Sequence, residues 1–322
     1  MKKIVIILIC IITFISTAKS AFDVSDFAAR PTSMGDAFVG LADDASAPLY
    51  NPAGIVQLKQ IEFHSTYSLL YPGLDINNTS QMYLSLVLPV KEKNAFGLSY
   101  FNLMLSDLYQ ENIIQLSYAR KLNAFWYLFG KNLRKNEFYM GANVKLLRRG
   151  YTVDDKMALD PLFSGYKDPS MDITFDVGLM IRIFSQELKN FYNIGLSVLN
   201  LTQPDIGLKS EDRVPLEARL GASLPLKEYA FMQKISMSHP MFVVGMGYRN
   251  NDINFNFGWE NAFLNEVLFF RLGSTMFELT TGLGFQFKFK PKYNLFIDYA
   301  FAYPYKIEES LGKHTVSLRF RF

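Results

Sequence analysis

The chain has 322 residues, 33 Lys and Arg against 30 Asp and Glu, a formal net charge of +3 and 15% aromatic residues. So even a balance excludes the strongly basic surface of a nucleic-acid-binding protein, and a single cysteine, Cys10, excludes a disulfide framework or a thiolate metal cluster. The length admits one large β domain or two smaller ones, and the lack of a Ser-, Pro- or Gly-rich linker after residue 60 favours one.

Residues 1–20 read as a secretory signal peptide: Lys2 and Lys3 form a basic start, Ile4 to Ser16 an apolar run, and Ala18-Lys19-Ser20 a small-residue cleavage site. The run is too short to span a bilayer. Cleavage before Ala21 removes Cys10 and three lysines, which leaves cations and carboxylates level. Residues 21–58 follow neither a helical nor a strand period. Their core, TSMGDAFVGLADDASAPLYNPAGI, is rich in Gly, Ala, Asp and Pro. Within it Pro52 restrains the chain, Gly54 permits a turn, and Asn51 is suited to bond nearby backbone groups. Asp43 and Asp44 are placed to cap a short helix or to pair with inward-facing Arg and Lys.

From residue 59 to 322 the chain divides into segments of about ten residues with period-2 alternation. Strands are expected near 60–70, 79–90, 94–105, 111–121, 137–149, 171–184, 191–201, 213–225, 240–249, 251–260, 265–273, 276–289, 293–303 and 312–322. In DITFDVGLMIRI, Ile173, Phe175, Val177, Leu179 and Ile181 share one face, opposite Asp172, Thr174, Asp176, Gly178 and Arg182. An even set of antiparallel strands, apolar outside and polar within, is the pattern of a transmembrane β-barrel of about 14 strands with both termini periplasmic. Tyr293 and Tyr303 bracket the apolar face of one strand, as interfacial aromatics do. The chain ends on HTVSLRFRF, and a terminal Phe322 on an alternating strand resembles the signal read by the outer-membrane assembly machinery. An integral outer-membrane location, in contact with lipid and with the signal peptide removed, is therefore expected.

The inward face is polar and unusually small. Gly97, Gly141, Gly178, Gly195, Gly221, Gly245, Gly247, Gly258, Gly273, Gly282 and Gly284 fall on it by parity, either as sites of curvature or to make room for something in the lumen. Fourteen strands enclose more than side chains alone can fill, and the irregular segment 21–58 is the natural occupant. Inward charges recur, among them Glu62, Lys145, Asp176, Arg271, Asp298 and Arg319. Most should pair with one another, with Lys145 and Arg271 as candidates to hold a ligand carboxylate. The long connection after the fifth strand places Leu159, Leu162 and Phe163 among acidic residues, either as an apolar surface or as a solvated lid.

The stretch ARPTSMGDAFVGLADDASAPLYNPAGI resembles the N-terminal segment of FadL-type outer-membrane transporters and of the PorV/PorQ family. The matching elements are Gly35, Ala37-Phe38-Val39, Asp43-Asp44 and Asn51-Pro52-Ala53-Gly54. A second likeness, to the Asn-loop-Leu-Pro pattern of PorV-like proteins, lies at VLNLTQPDIGLKSEDRVPLEARLGASLPL, with Val214-Pro215 in place of Leu-Pro. The resemblance implies a hatch of residues 21–58 inside a barrel of residues 59–322, and outer loops that bind hydrophobic ligands. It implies two functions. One is passive, hatch-gated uptake of hydrophobic or amphipathic small molecules. The other is a PorV/PorQ-like part in type IX secretion, with exported proteins or secretion-system subunits as partners.

No catalytic residues, metal ligands or cofactor are expected. The sequence contains no Gly-x-Ser-x-Gly, His-Glu-x-x-His or phosphate-loop motif, and His64, His239 and His314 fall on separate segments.

Overall fold

The computed structural model describes residues 22, 27–74, 79–106, 108–122, 135–153, 155–161, 163, 170–227, 237–290, 292–307 and 310–322. The signal-peptide reading, Asp154, Leu162 and most of the aromatic and basic link 123–136 lie outside them. Two single-turn helices, α1 (Ala29–Thr32) and α2 (Ala47–Tyr50), and a 3-10 helix (Pro52–Gln57) precede the strands.

Fourteen antiparallel strands follow and close on themselves, each paired with its neighbours in sequence and β1 paired with β14. They are β1 (Glu62–Leu70), β2 (Thr79–Val90), β3 (Asn94–Leu105), β4 (Tyr109–Lys121), β5 (Glu137–Tyr151), β6 (Ser170–Ser185) and β7 (Asn190–Leu199). The ring continues with β8 (Glu217–Pro225), β9 (Met237–Arg249), β10 (Asp252–Phe263), β11 (Leu268–Thr275), β12 (Glu278–Lys290), β13 (Tyr293–Pro304) and β14 (Lys313–Arg321). Closure leaves no unpaired sheet edge, which is what a spanning sheet requires.

Alternation decides the two faces. In β6, Ile173, Phe175 and Val177 are exposed while Thr174, Asp176 and Gly178 are buried. The same holds in β12, where Leu279, Leu283, Phe285 and Phe287 stand outside, and in β14, where Val316 and Leu318 do. So many large apolar side chains outside and so many polar ones inside invert the usual soluble arrangement. The outer wall is thus an apolar band for lipid. No helix among the described residues is long and apolar enough to cross a membrane.

Strand ends shift from the sequence expectation by up to four residues, and at two strands the physical reason is plain. β8 begins at Glu217 rather than near 213, because Pro215 has no N–H to give to a ladder; Arg213 makes only a bridge with Asp205. β9 begins at Met237 rather than near 240, so His239 lies within the strand and Pro240 is not its first residue. There they form a bulge where the register with β10 shifts between Glu260 and Ala262. His239 adopts φ 54°, and at the bulge the missing donor of the proline is tolerated.

Candidate functional site

The N-terminal segment runs through the ring, buried along almost its whole length. Its residues touch the inward faces of the strands in turn. On one side, eight consecutive strands, β5 to β12, each contribute one inward glycine. Gly141 and Gly178 meet Asn51-Pro52-Ala53, and Gly195 and Gly221 meet Val39-Gly40. Gly245 meets Ala37, while Gly258, Gly273 and Gly282 meet Ser33-Met34-Gly35. A Cβ on Gly141 would stand 2.5 Å from the Ala53 nitrogen, and one on Gly258 2.5 Å from the Met34 carbonyl oxygen. At seven of the eight there is no space for even a methyl group: Gly141, Gly195, Gly221, Gly258 and Gly273 lie against segment backbone, and Gly178 and Gly282 against the side chains of Asn51, Pro52 and Ser33, while Gly245 only touches Ala37. These glycines therefore make room, which settles the alternative left open by parity. Gly247 and Gly284 face only other wall residues, and Gly97 lies beside Ser117 and Pro48.

Local chemistry pins the segment at the motif residues. Gly35 turns with φ 61°, donates its N–H to Thr280 Oγ1 at 3.0 Å and accepts from Asn256 through its carbonyl. Asn51 caps the 3-10 helix: its Oδ1 accepts from the Ala53 N–H at 3.1 Å. Its Nδ2 donates to Val39 O at 3.1 Å and to Leu179 O of β6 at 3.0 Å, so one side chain ties two parts of the segment to the wall. Pro52 takes the first position of that helix, where no donor is needed, and Gly54 lies directly against Ala42.

The other contacts, which share β10 and β11 with the seam, are charged, polar and aromatic. Arg30 grips Glu260 of β10 with Nε–Oε2 at 2.8 Å and Nη2–Oε1 at 2.9 Å, and reaches Asp43 at 2.5 Å and Asp44 at 3.0 Å. Glu260 also holds Arg271 at 2.6 Å, Arg271 holds Asp298 at 2.7 Å, and Asp298 holds Arg319 at 3.0 Å. Arg319 returns to Asp44 at 3.3 Å. Three arginines and three carboxylates therefore alternate in a closed ring, with Arg30 and Asp44 from the segment and the other four from β10, β11, β13 and β14. Burial pushes the Asp44 carboxyl up, but Arg319 and Arg30 outweigh that and hold it well below the usual carboxylate range. Burial likewise opposes the charge on Arg30, and Asp43, Glu260 and Asp44 overcome it. Beside this ring, Glu62 accepts from the Ala45 N–H at 2.7 Å and pairs with Arg321. Tyr83 donates to Ala45 O at 3.1 Å, and Phe27 packs against Tyr50, Tyr83 and Phe101.

Lys145 is buried between Asp176 at 2.7 Å and Asn200 Oδ1 at 2.6 Å, and Arg271 is a member of the ion-pair ring. Both cations are thus satisfied by the protein itself. Leu159 is 84% exposed in a short 3-10 turn, Met157–Leu159, and Phe163 packs edge-on to Tyr151. The connection after β7 folds inward: Ile206 and Val214 are fully buried, and Arg149 holds Ile206 O and Asp212. Reasoning from periodicity passed over that connection as a site, because irregular segments carry no parity. His64 is buried with Nε2 2.8 Å from Thr66 Oγ1, whereas His314 is bonded to Tyr299 on the outside.

A closed antiparallel barrel, apolar outside, charged within and threaded by its own N-terminal segment, defines an outer-membrane β-barrel protein. The sequence profile of the family described as "Type IX secretion system membrane protein PorP/SprF" matches residues 45–320, and the chain belongs to that family. No curated protein sequence matches the chain. Among solved structures, the toluene transporter TbuX of Ralstonia pickettii aligns with a TM-score of 0.59 at 10% identity, over 94% of this chain and 99% of that one. The monoaromatic hydrocarbon channel CymD aligns at 0.58 and 12% identity, over 94% and 98%. A FadL homologue of Pseudomonas aeruginosa aligns at 0.54 and 11%, over 92% and 98%. At these identities the likeness is one of fold: a FadL-like barrel in a type IX secretion family.

Proposed function

We propose that the protein serves type IX secretion as a filled outer-membrane barrel that works through its two ends and their partners, not as an open conduit. The observation that carries this reading is the glycine seam of β5 to β12, where the segment lies directly on the wall. A segment held that closely is a structural filling, and its motif residues Gly35, Asn51, Pro52, Ala53 and Gly54 are the fastening points. Exported proteins or secretion-system subunits are the partners, met at the connections after β5 and β7 or at the opposite rim. No reaction is assigned to the protein. Phe322, exposed at the end of β14 and stacked on Phe320, is the contact for the assembly machinery. Deleting the gene should abolish surface delivery of a subset of exported proteins, and the purified barrel should not conduct ions in a planar bilayer. Normal secretion without the protein would overturn the reading.

The second reading is hatch-gated uptake of hydrophobic small molecules, supported by the fold shared with hydrocarbon channels. It requires the segment to move, with Leu159, Leu162 and Phe163 as the outer capture surface and Lys145 or Arg271 released from present partners to receive a carboxylate. Accumulation of a labelled monoaromatic hydrocarbon that depends on the protein would favour it.

A further inference from the structure

The two ends of the barrel differ in charge. At the end that carries the start of β1 and the end of β14, Lys59, Lys91, Lys93, Arg120, Lys189 and Lys292 are all exposed and make no ion pair among the described residues. They flank β1, the β2–β3 turn (where exposed Glu92 stands between Lys91 and Lys93), the end of β4, the β6–β7 turn and the β12–β13 turn, and so are spread around the ring with cations in excess. Further cations of this rim, Lys121, Lys227 and Lys288, are paired with Glu137, Glu187 and Glu266. At the other end, exposed Asp155, Asp160, Asp205 and Glu211 stand among Lys156, Lys209 and Arg213, and charge there is mixed.

Just inside the cationic rim the outer wall carries exposed Leu88, Phe96, Tyr118, Leu226, Phe289 and Tyr293. An apolar and aromatic band edged by long cationic side chains is the chemistry of a membrane interface. The phenyl and phenol rings settle at headgroup depth, the lysine stems lie along the apolar surface, and the ammonium groups reach the phosphates. A protein partner would be met by a patch on one sector; cations distributed around the circumference meet an annulus.

We infer that this rim binds the headgroups of anionic phospholipids in the periplasmic leaflet, which fixes the barrel's depth and orientation. The inference places the end that holds the start of β1 and the end of β14 in the periplasm, the side of short turns such as β2–β3, β6–β7 and β12–β13, and it is independent of whether the barrel serves secretion or uptake. Each cation near an anionic surface contributes roughly a fivefold factor, screened by salt.

The test uses the full protein reconstituted in nanodiscs of phosphatidylethanolamine with either phosphatidylglycerol or phosphatidylcholine, followed by native mass spectrometry of retained lipid. Phosphatidylglycerol should be retained about tenfold or more over phosphatidylcholine at low salt. The combined variant Lys59→Gln, Lys91→Gln, Lys93→Gln should lose most of that preference, Lys→Arg at the same positions should keep it, and Lys209→Gln at the far end should leave it unchanged. Equal retention of the two lipids would overturn the inference. So would loss of the preference on adding millimolar inorganic phosphate, which would make the rim a site for free phosphate. Rim variants that release an acidic periplasmic protein without altering lipid retention would assign the surface to that protein instead. Heat-modifiable migration of every variant confirms that the barrel has folded.

Discussion

The glycine seam and the ion-pair ring hold the same segment by opposite means. Along β5 to β12 each strand places one glycine where the segment lies directly against it. Across β10, β11, β13 and β14 the wall supplies long charged side chains that reach in and close on Arg30 and Asp44. The first is shape: at every seam glycine but Gly245 an added Cβ overlaps an atom of the segment. The second is electrostatics, in which each buried charge is tolerable only because its neighbours remain. One set of contacts is therefore intolerant of gain, the other of loss.

The largest effect should come from adding bulk to the seam. Gly178→Leu drives a side chain into Asn51 and Pro52. The barrel should then lose heat-modifiable migration or expose residues 27–58 to protease. Gly247→Ala, whose Cβ would meet only Glu217 at 3.8 Å, should change neither. If both substitutions behave alike, close backbone approach is not what holds the segment.

The ring should break next. Arg30→Met leaves Glu260 and Asp44 short of a cation, and removing one partner of a buried charge set typically costs about 3–5 kcal/mol. The denaturation midpoint should fall accordingly, and the further change Glu260→Gln should recover part of the loss. A smaller effect is expected at the joint between the two regions. Asn51→Ala strands the Val39 and Leu179 carbonyls and uncaps the 3-10 helix, for about 1–3 kcal/mol. It should be read as faster amide exchange at Ala53 and its neighbours.

The smallest effect concerns pH. Because the Asp44 carboxyl is held well below its ordinary value of 3.8, its contribution is present above that value and is lost only as pH falls through the much lower folded one. Protease access to the segment should therefore stay constant from about pH 7 to about pH 4, and Asp44→Asn should raise it throughout that range. A release of the segment between pH 6 and 5 would place its control in groups other than this carboxylate.

Much of the wall was legible in advance. Strands β2 and β3 begin and end where alternation places them, since a two-residue period and a lipid-facing band leave one register that buries the polar set. Family likeness, too, was carried by a short stretch: the FadL-like and type IX features read from residues 29–55 agree with the fold and with the family the chain belongs to. The interior was less legible. Parity could say that Lys145 and Arg271 point inward, but not that Asp176 and Asn200 close on one while Glu260 and Asp298 close on the other. The bulge at His239-Pro240 was missed because a proline inside an alternating run reads as an interruption.

By itself, then, the sequence determined what each strand turns outward and inward, because that depends only on a local period of two and on the solvents on either side. It also determined that an irregular, small-residue segment precedes a wall lined with glycine. Which glycine meets which residue, and which arginine neutralises which carboxylate, only the tertiary structure decided. Arg30 and Glu260, or Asp44 and Arg319, are more than two hundred residues apart in the chain. Nothing local in either partner specifies the other until the barrel closes and brings them together.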